Sequence, residues 1–126
     1  MALPLSDLVA WITGLALPNS PTVYANWMPA TPDSVIVVGL AGSGALLVDG
    51  HFEEVHIHVR VRDTTDALAE QTALALHAAV LGSMGTFPMG TTQVLTASPT
   101  QAPVFLLRDV DERTTYLSAY MFTVGV

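Results

Sequence analysis

Residues 55–82 constrain the chain more than any other stretch, because the apolar period changes within them from two to helical. Val55, Ile57, Val59 and Val61 alternate with His56, His58, Arg60 and Arg62, so a strand here has one apolar and one polar face. Asp63-Thr64-Thr65-Asp66 follows. The short side-chain oxygens of these residues accept from the free N–H groups that begin a helix. Residues 67–81 are rich in Ala and Leu and hold no Gly or Pro, and Gly82 supplies a stop. Ala67, Leu74, Ala78 and Leu81 form one helical stripe, widened by Leu68, Ala75, Leu76, Ala79 and Val80. The expected packing lays this stripe on the apolar face of the strand and its neighbours. The result is a sheet with a helix on one side.

The rest of the chain supplies the other strands. Leu5, Leu8, Val9 and Ile12, with Trp11 beside them, mark a short first helix, capped by Ser6 or Asp7 and ended by Pro18. Residues 22–28 read as a strand, 29–33 as a turn, and 35–40 as an apolar β-branched strand buried on both faces. Residues 41–51 contain three glycines and the turn dipeptide Asp49-Gly50, and read as a long hairpin-like connection. Beyond the second helix, residues 83–90 read as a loop carrying Met84, Phe87 and Met89. Residues 91–97 read as a strand, 98–103 as a loop, 104–108 as a short strand, 109–113 as a charged turn and 114–124 as a long last strand. In that strand Tyr116, Ser118, Tyr120, Phe122 and Val124 share one face, and Leu117, Ala119, Met121 and Thr123 the other. Both faces are largely apolar, so one is expected to meet another subunit. The order α-β-β-β-α-β-β-β implies an α+β fold: a mixed or antiparallel β-sheet of about five to six strands with two helices, the longer one packed on one face. At 126 residues, the expectation is a single domain spanning 1–126.

Charge narrows the function. The formal net charge is -7, with no lysine and only Arg60, Arg62, Arg108 and Arg113 as strong bases. A surface that grips nucleic acid must neutralise phosphates, which this balance disfavours. The absence of cysteine removes disulfides and thiolate metal sites. No basic leader precedes residues 3–17, and no apolar run reaches the ~18–20 residues of a membrane span, so a soluble protein made in a cytoplasm is expected, with no membrane partner.

Few motifs suggest chemistry. Gly50-x5-His56-x-His58, with Asp63 beyond, matches the start of a cupin metal motif, and two imidazoles two apart on a strand point the same way. A small metal-binding, cupin-like protein using His56 and His58, with His51 near them, is therefore the alternative reading. Against it stand the missing later glycine, the helix after Asp63, and the two cations Arg60 and Arg62 on the same face. Gly39-x-x-Gly42-x-Gly44 lacks both the Lys of a phosphate loop and the spacing of a dinucleotide turn. Ser43 has no nucleophile elbow around it. His77 reads as a helix-flank residue, and Glu53-Glu54 and Asp109/Asp111/Glu112 as turn carboxylates. Trp27, Met28, Phe87 and Met89 would suit either a small-molecule pocket or a subunit contact.

In order along the chain, four stretches resemble the phage minor capsid and tail terminator family, small proteins of the head–tail junction of long-tailed phages. They are Leu5-x-x-Leu8-Val9-x-x-Ile12; an apolar strand with Pro29-Ala-Thr-Pro32-Asp33 and Val35-Ile-Val-Val38; Val-x-Ile-x-Val-Arg-Val-Arg62 with its Ala-rich helix; and Ala102-Pro103-Val-Phe105-Leu-Leu-Arg108-Asp109 with the last strand from Tyr116. Members often carry a glycine in the turn where this chain has Val110-Asp111-Glu112, and the Gly42-Ser-Gly44 loop has no counterpart. The resemblance implies a structural virion protein without catalysis or cofactors. It implies a homo-oligomer, a hexameric ring, that caps the tail tube, stops its polymerisation and joins it to the head connector. Its partners would be the tail tube protein, a head-completion or connector protein and the tape measure, with DNA passing unbound through the bore. Its place would be the virion's head–tail junction, reached from the host cytoplasm. Under this reading Trp27, Met28, Phe87, Met89, Phe105, Tyr116 and Tyr120 are the candidate assembly residues. Glu53, Glu54, Asp109 and Asp111 are the candidate bore carboxylates.

Overall fold

A computed structural model describes residues 3–47, 52–83, 87–90 and 92–125, with the backbone alone for 42–47. Its elements are α1 (Leu5–Gly14), β1 (Thr22–Ala25), β2 (Val35–Leu47), β3 (Phe52–Asp63), α2 (Asp66–Gly82), β4 (Phe87–Met89), β5 (Thr92–Arg108) and β6 (Thr114–Gly125). The strands form one six-stranded sheet in the order β1-β2-β3-β6-β5-β4, parallel between β1 and β2 and antiparallel elsewhere. The α+β architecture expected from the sequence is the one found.

The core lies between the sheet and both helices. Val55, Ile57, Val59 and Val61 of β3 and Tyr120, Phe122 and Val124 of β6 are buried there with Leu8, Ile12, Leu76 and Val80. Thr65 caps α2, its hydroxyl accepting from the Leu68 N–H at 3.2 Å. Helix α1 begins after Pro4 with no side-chain cap, so neither Ser6 nor Asp7 serves.

Several boundaries differ from expectation. Strand β1 stops at Ala25, and residues 26–28 join the following loop. Residues 41–47 continue β2 in place of a connection; the Asp49-Gly50 turn lies outside the described residues. Phe87–Met89 is a short strand, and residues 98–103 belong to β5, a strand of 17 residues whose pairing with β6 shifts register at four points. Proline suits this position because β5 is an edge strand along most of its length, where a missing N–H breaks no ladder. The buried stripe of α2 is Ala69, Thr72, Ala73, Leu76 and Val80, whereas Leu74 and Leu81 are exposed. An Ala-rich helix with apolar residues on more than one face does not select its own buried face. Here a tertiary bond does: the Thr72 hydroxyl donates to the Pro18 carbonyl and accepts from the Asn19 amide.

The two short outer strands leave two edges bare. β1 pairs only with residues 35–38 of β2, and β4 only with residues 92–94 of β5. Among the described residues, no strand covers the outer edge of β2 from Gly39 to Leu47, or of β5 from Leu95 to Arg108. The bare stretches lie on opposite edges of the sheet and overlap in level over residues 119–123 of β6.

Candidate interaction surface

The face of the sheet away from the helices carries Glu54, His56, His58, Arg60 and Arg62 on β3, level with Thr123, Met121, Ala119, Leu117 and Thr115 on β6. Val35 and Val37 of β2 lie on this same face and are fully buried, so the lower part of it is covered. The cover is the loop of residues 26–34, which leaves β1 and folds across the strands. Two arginines hold it. Arg62 donates from Nη2 to the Pro32 carbonyl at 2.6 Å and from Nε to the Asp33 carbonyl at 3.2 Å. Arg113 donates from Nη1 to the Ala30 carbonyl at 2.5 Å, and pairs through Nε with Asp109 at 2.8 Å. Loop carbonyls that would otherwise lack partners are thereby satisfied by cations, which makes stronger bonds than neutral donors would.

Under the loop lies a cavity of about 150 Å³ lined by Met28, Arg60, Arg62, Leu106, Leu107, Asp109 and Thr115. The Nε of Arg60 is buried with no hydrogen-bond partner. Beside Arg60, the His58 ring folds over Gly39, where an added Cβ would meet the ring's Cε1 at 2.7 Å. Burial, and then the Arg60 cation, hold the His58 imidazole below its usual range. His58 is thus a packed ring on this face, biased toward its neutral form.

The rim is apolar. Trp27 is 66% exposed, Phe105 51% and Val110 98%, with Val104, Leu106 and Leu107 exposed between them. Of the candidate assembly residues, Trp27 and Met28 lie on the loop side of the sheet, whereas Phe105, level with Tyr116, is exposed on the helix side. Phe105 meets Tyr116 edge-on, with ring centroids 6.2 Å apart, and the Tyr116 hydroxyl donates to Glu70 at 3.0 Å. Phe87 stacks on Trp11 at 5.6 Å. Met89 and Tyr120 belong to the core: both are buried, and the Tyr120 hydroxyl lies 3.2 Å from Nδ1 of His77. They present nothing to a partner, and this corrects their assignment to an interface. Val104, Leu106, Leu107, Arg60 and Arg113 escaped the sequence reading. Four successive apolar residues after Pro103 are the signal that was available, since alternation must turn two of them away from the core.

The acidic candidates divide into two distant groups. Glu53 is buried and Glu54 sits half-buried, 4.0 Å from His56, at the Val124 end of β6. Asp109 and Asp111 lie in the turn before Thr114, at the other end of β6, about 30 Å away at ~3.4 Å per residue. Hydrogen bonds from the Arg113 backbone and side chain depress the Asp109 carboxyl. These four do not form one acidic wall within a single chain.

The cupin alternative meets the same geometry. Asp63, the carboxylate expected to complete the set, accepts from Ser34 at 3.0 Å and from the Thr64 N–H at 2.7 Å, at the far end of β3. His51 lies outside the described residues. No group of three metal-capable side chains occurs among the described residues. A helix packed on an open sheet is not a cupin barrel.

No protein-family model matches the chain, and no curated protein matches it. Solved structures share its fold. One is a chain of the structure described as the virion of native gene transfer agent particle, with a TM-score of 0.63 and 12% identity, covering 97% of this chain and 91% of that one. A second has a TM-score of 0.55 and 18% identity, covering 96% and 89%. At these identities the likeness is one of fold, and it extends over nearly the whole of each chain.

Proposed function

We infer that this chain is a structural, non-catalytic protein of a phage or phage-like particle, acting as the ring that closes the tail tube at the head–tail junction. The observation that carries the reading is the near full-length fold likeness to a chain of a virion. The order of the four family-like stretches supports the junction role in particular. The apolar rim and the bare edges of the sheet suit a protein that works by contact. Its partners in this reading are copies of itself in a hexamer, the tail tube protein, the head-completion or connector protein and the tape measure. DNA slides past an acidic assembly without being held, since anionic walls do not bind phosphate. The interface is assigned to Trp27, Met28 and Phe105, with Tyr116 beside Phe105 and Phe87 at the other end of the sheet. The bore charge is assigned to Glu54 and Asp111, the more exposed member of each acidic pair.

Negative-stain electron microscopy of the concentrated protein, alone and with tail tubes, tests the role. Rings, or caps on tube ends, are expected. Small single particles that never decorate a tube would overturn it. Charge reversal at Glu54 and Asp111 is expected to slow DNA passage, and unchanged infectivity would remove the bore assignment.

A further inference from the structure

We propose that the bare edge of β5 over residues 104–107 pairs, strand to strand, with the bare edge of β2 over residues 39–47 of a second copy of this chain. The proposal rests on the ring reading for the closure of the assembly, and on the sheet alone for the contact.

Four observations support it. First, the two edges are complementary in direction. Taking β2 as running up the sheet, β3 runs down, β6 up and β5 down. In adjoining copies of like orientation β2 and β5 therefore meet antiparallel, the better hydrogen-bonded arrangement. Second, neither edge is protected by the described residues. Residues 39–47 hold no charge and no proline, and residues 104–107 are Val-Phe-Leu-Leu between Pro103 and Arg108. Open edges are normally blunted by charge, proline or a cover, because they template association. In β5, Pro99 and Pro103 blunt the strand above residue 104 and leave 104–107 open. Third, copies of a chain with net charge -7 repel one another, and these uncharged stretches are where approach costs least. A two-fold β5–β5 pair would leave the β2 edge of both copies bare.

The fourth observation is the stagger. Phe105 is level with Tyr116 of β6, while Ser43, central in residues 39–47, is level with Val55 and so with Phe122. The offset from Tyr116 to Phe122 is about 20 Å at ~3.4 Å per residue, and the four strands β2, β3, β6 and β5 that repeat from one contact to the next span about 19 Å at ~4.8 Å each. Their ratio corresponds to a strand tilt of about 47°, close to the upper end of the ~35–45° range in which sheets close on themselves. Copies joined in this way stay level in a ring while their strands incline. The contact is heterologous, with a different surface on each partner, and closes because the rotation repeats.

Paired cysteines test the contact in a chain that has none of its own. Ser43→Cys with Leu106→Cys, and Gly42→Cys with Leu107→Cys, are oxidised at high concentration with and without tail tubes, beside each single variant, and melting curves confirm that all remain folded. The expected result is a ladder of disulfide-linked multimers in a double variant, at least tenfold more abundant than any product of the singles. A dimer from Leu106→Cys alone, equal in yield to the double variant, would replace the proposal with a two-fold edge contact. Rings in the microscope with no ladder from either pair would overturn the edge contact and leave the ring reading standing. Monomers with neither ring nor ladder would overturn both.

Discussion

Truncating one leucine of α2 at a time tests which face of the helix meets the sheet, and so which surface remains for partners. Leu76 is 1% exposed and Leu74 is 48% exposed, two residues apart on the same helix. Leu76→Ala removes a side chain packed against β-strand residues of the core, and a cavity stays behind where they do not close up. Buried Leu→Ala changes cost ~2–5 kcal/mol, and about 3 kcal/mol is expected here. At ~2.1 cal/mol/K of unfolding entropy per residue, a chain of 126 residues loses about 11 °C in Tm for that change. Leu74→Ala gives up partial burial and gains slightly in helix propensity, so its cost is within about 0.5 kcal/mol, or roughly 2 °C. Urea unfolding with unchanged m-values, followed by circular dichroism, measures both. Equal losses for the two variants would refute the reasoning, because they would place the Leu74 stripe on the sheet.

Arg113→Ala removes the hold on the loop of residues 26–34, with an expected cost of about 1–2 kcal/mol, read as roughly tenfold faster amide exchange confined to that loop; unchanged exchange would show that Arg62 alone suffices. The lowered His58 pKa means that, just below the usual imidazole value of about 6.5, the unfolded chain binds a proton that the folded chain refuses. The contribution is therefore full above that pH and is lost as pH falls through the folded pKa, and His58→Gln should flatten the urea midpoint against pH in that window. Asp66, bonded by Thr114 and Arg108, and Asp109, bonded by Arg113, have lowered pKa values and act at lower pH: their stabilisation is present above about pH 4 and disappears as the pH falls through the lowered values. Asp109→Asn should make the acid limb of stability shallower, measured by the same titration. Arg60→Leu places apolar volume where a buried Nε lacks a partner, so the isolated chain should gain about 1 kcal/mol in urea, and a loss would show that Arg60 supports the fold.

Much of the fold was legible because its signals were local. The alternation of residues 55–62 and the capping threonine act within a few residues of chain and appear as expected, while Gly82 is itself the last helical residue and Ser83 the C-cap. What was not legible depended on residues far apart in sequence. Pro99 and Pro103 read as breakers, and only the shortness of β4, which leaves β5 an edge, makes them tolerable. The face that α2 buries is chosen by bonds that Thr72 makes with Pro18 and Asn19, more than fifty residues away. Two aromatic or sulfur side chains, Met89 and Tyr120, looked like contact residues because the sequence does not say whether the core already uses them. Phe105 and Trp27 have the same composition signal and the opposite fate.

The arginines make the same point about function. Arg108 pairs with Asp66 at 2.8 Å, and Arg62 and Arg113 hold the loop over the open face of the sheet. Each serves the chain's own fold, although on composition alone all four could belong to a binding patch. Arg60 differs: its Nε is buried and unpartnered in a cavity rimmed by exposed Leu106 and Leu107, next to the bare β5 edge. A buried donor left without an acceptor costs about 1–3 kcal/mol unless the surrounding packing repays it. The Arg60→Leu measurement separates the two cases: a gain in urea leaves the packing without need of this donor, and a loss makes Arg60 part of what holds the sheet and loop together.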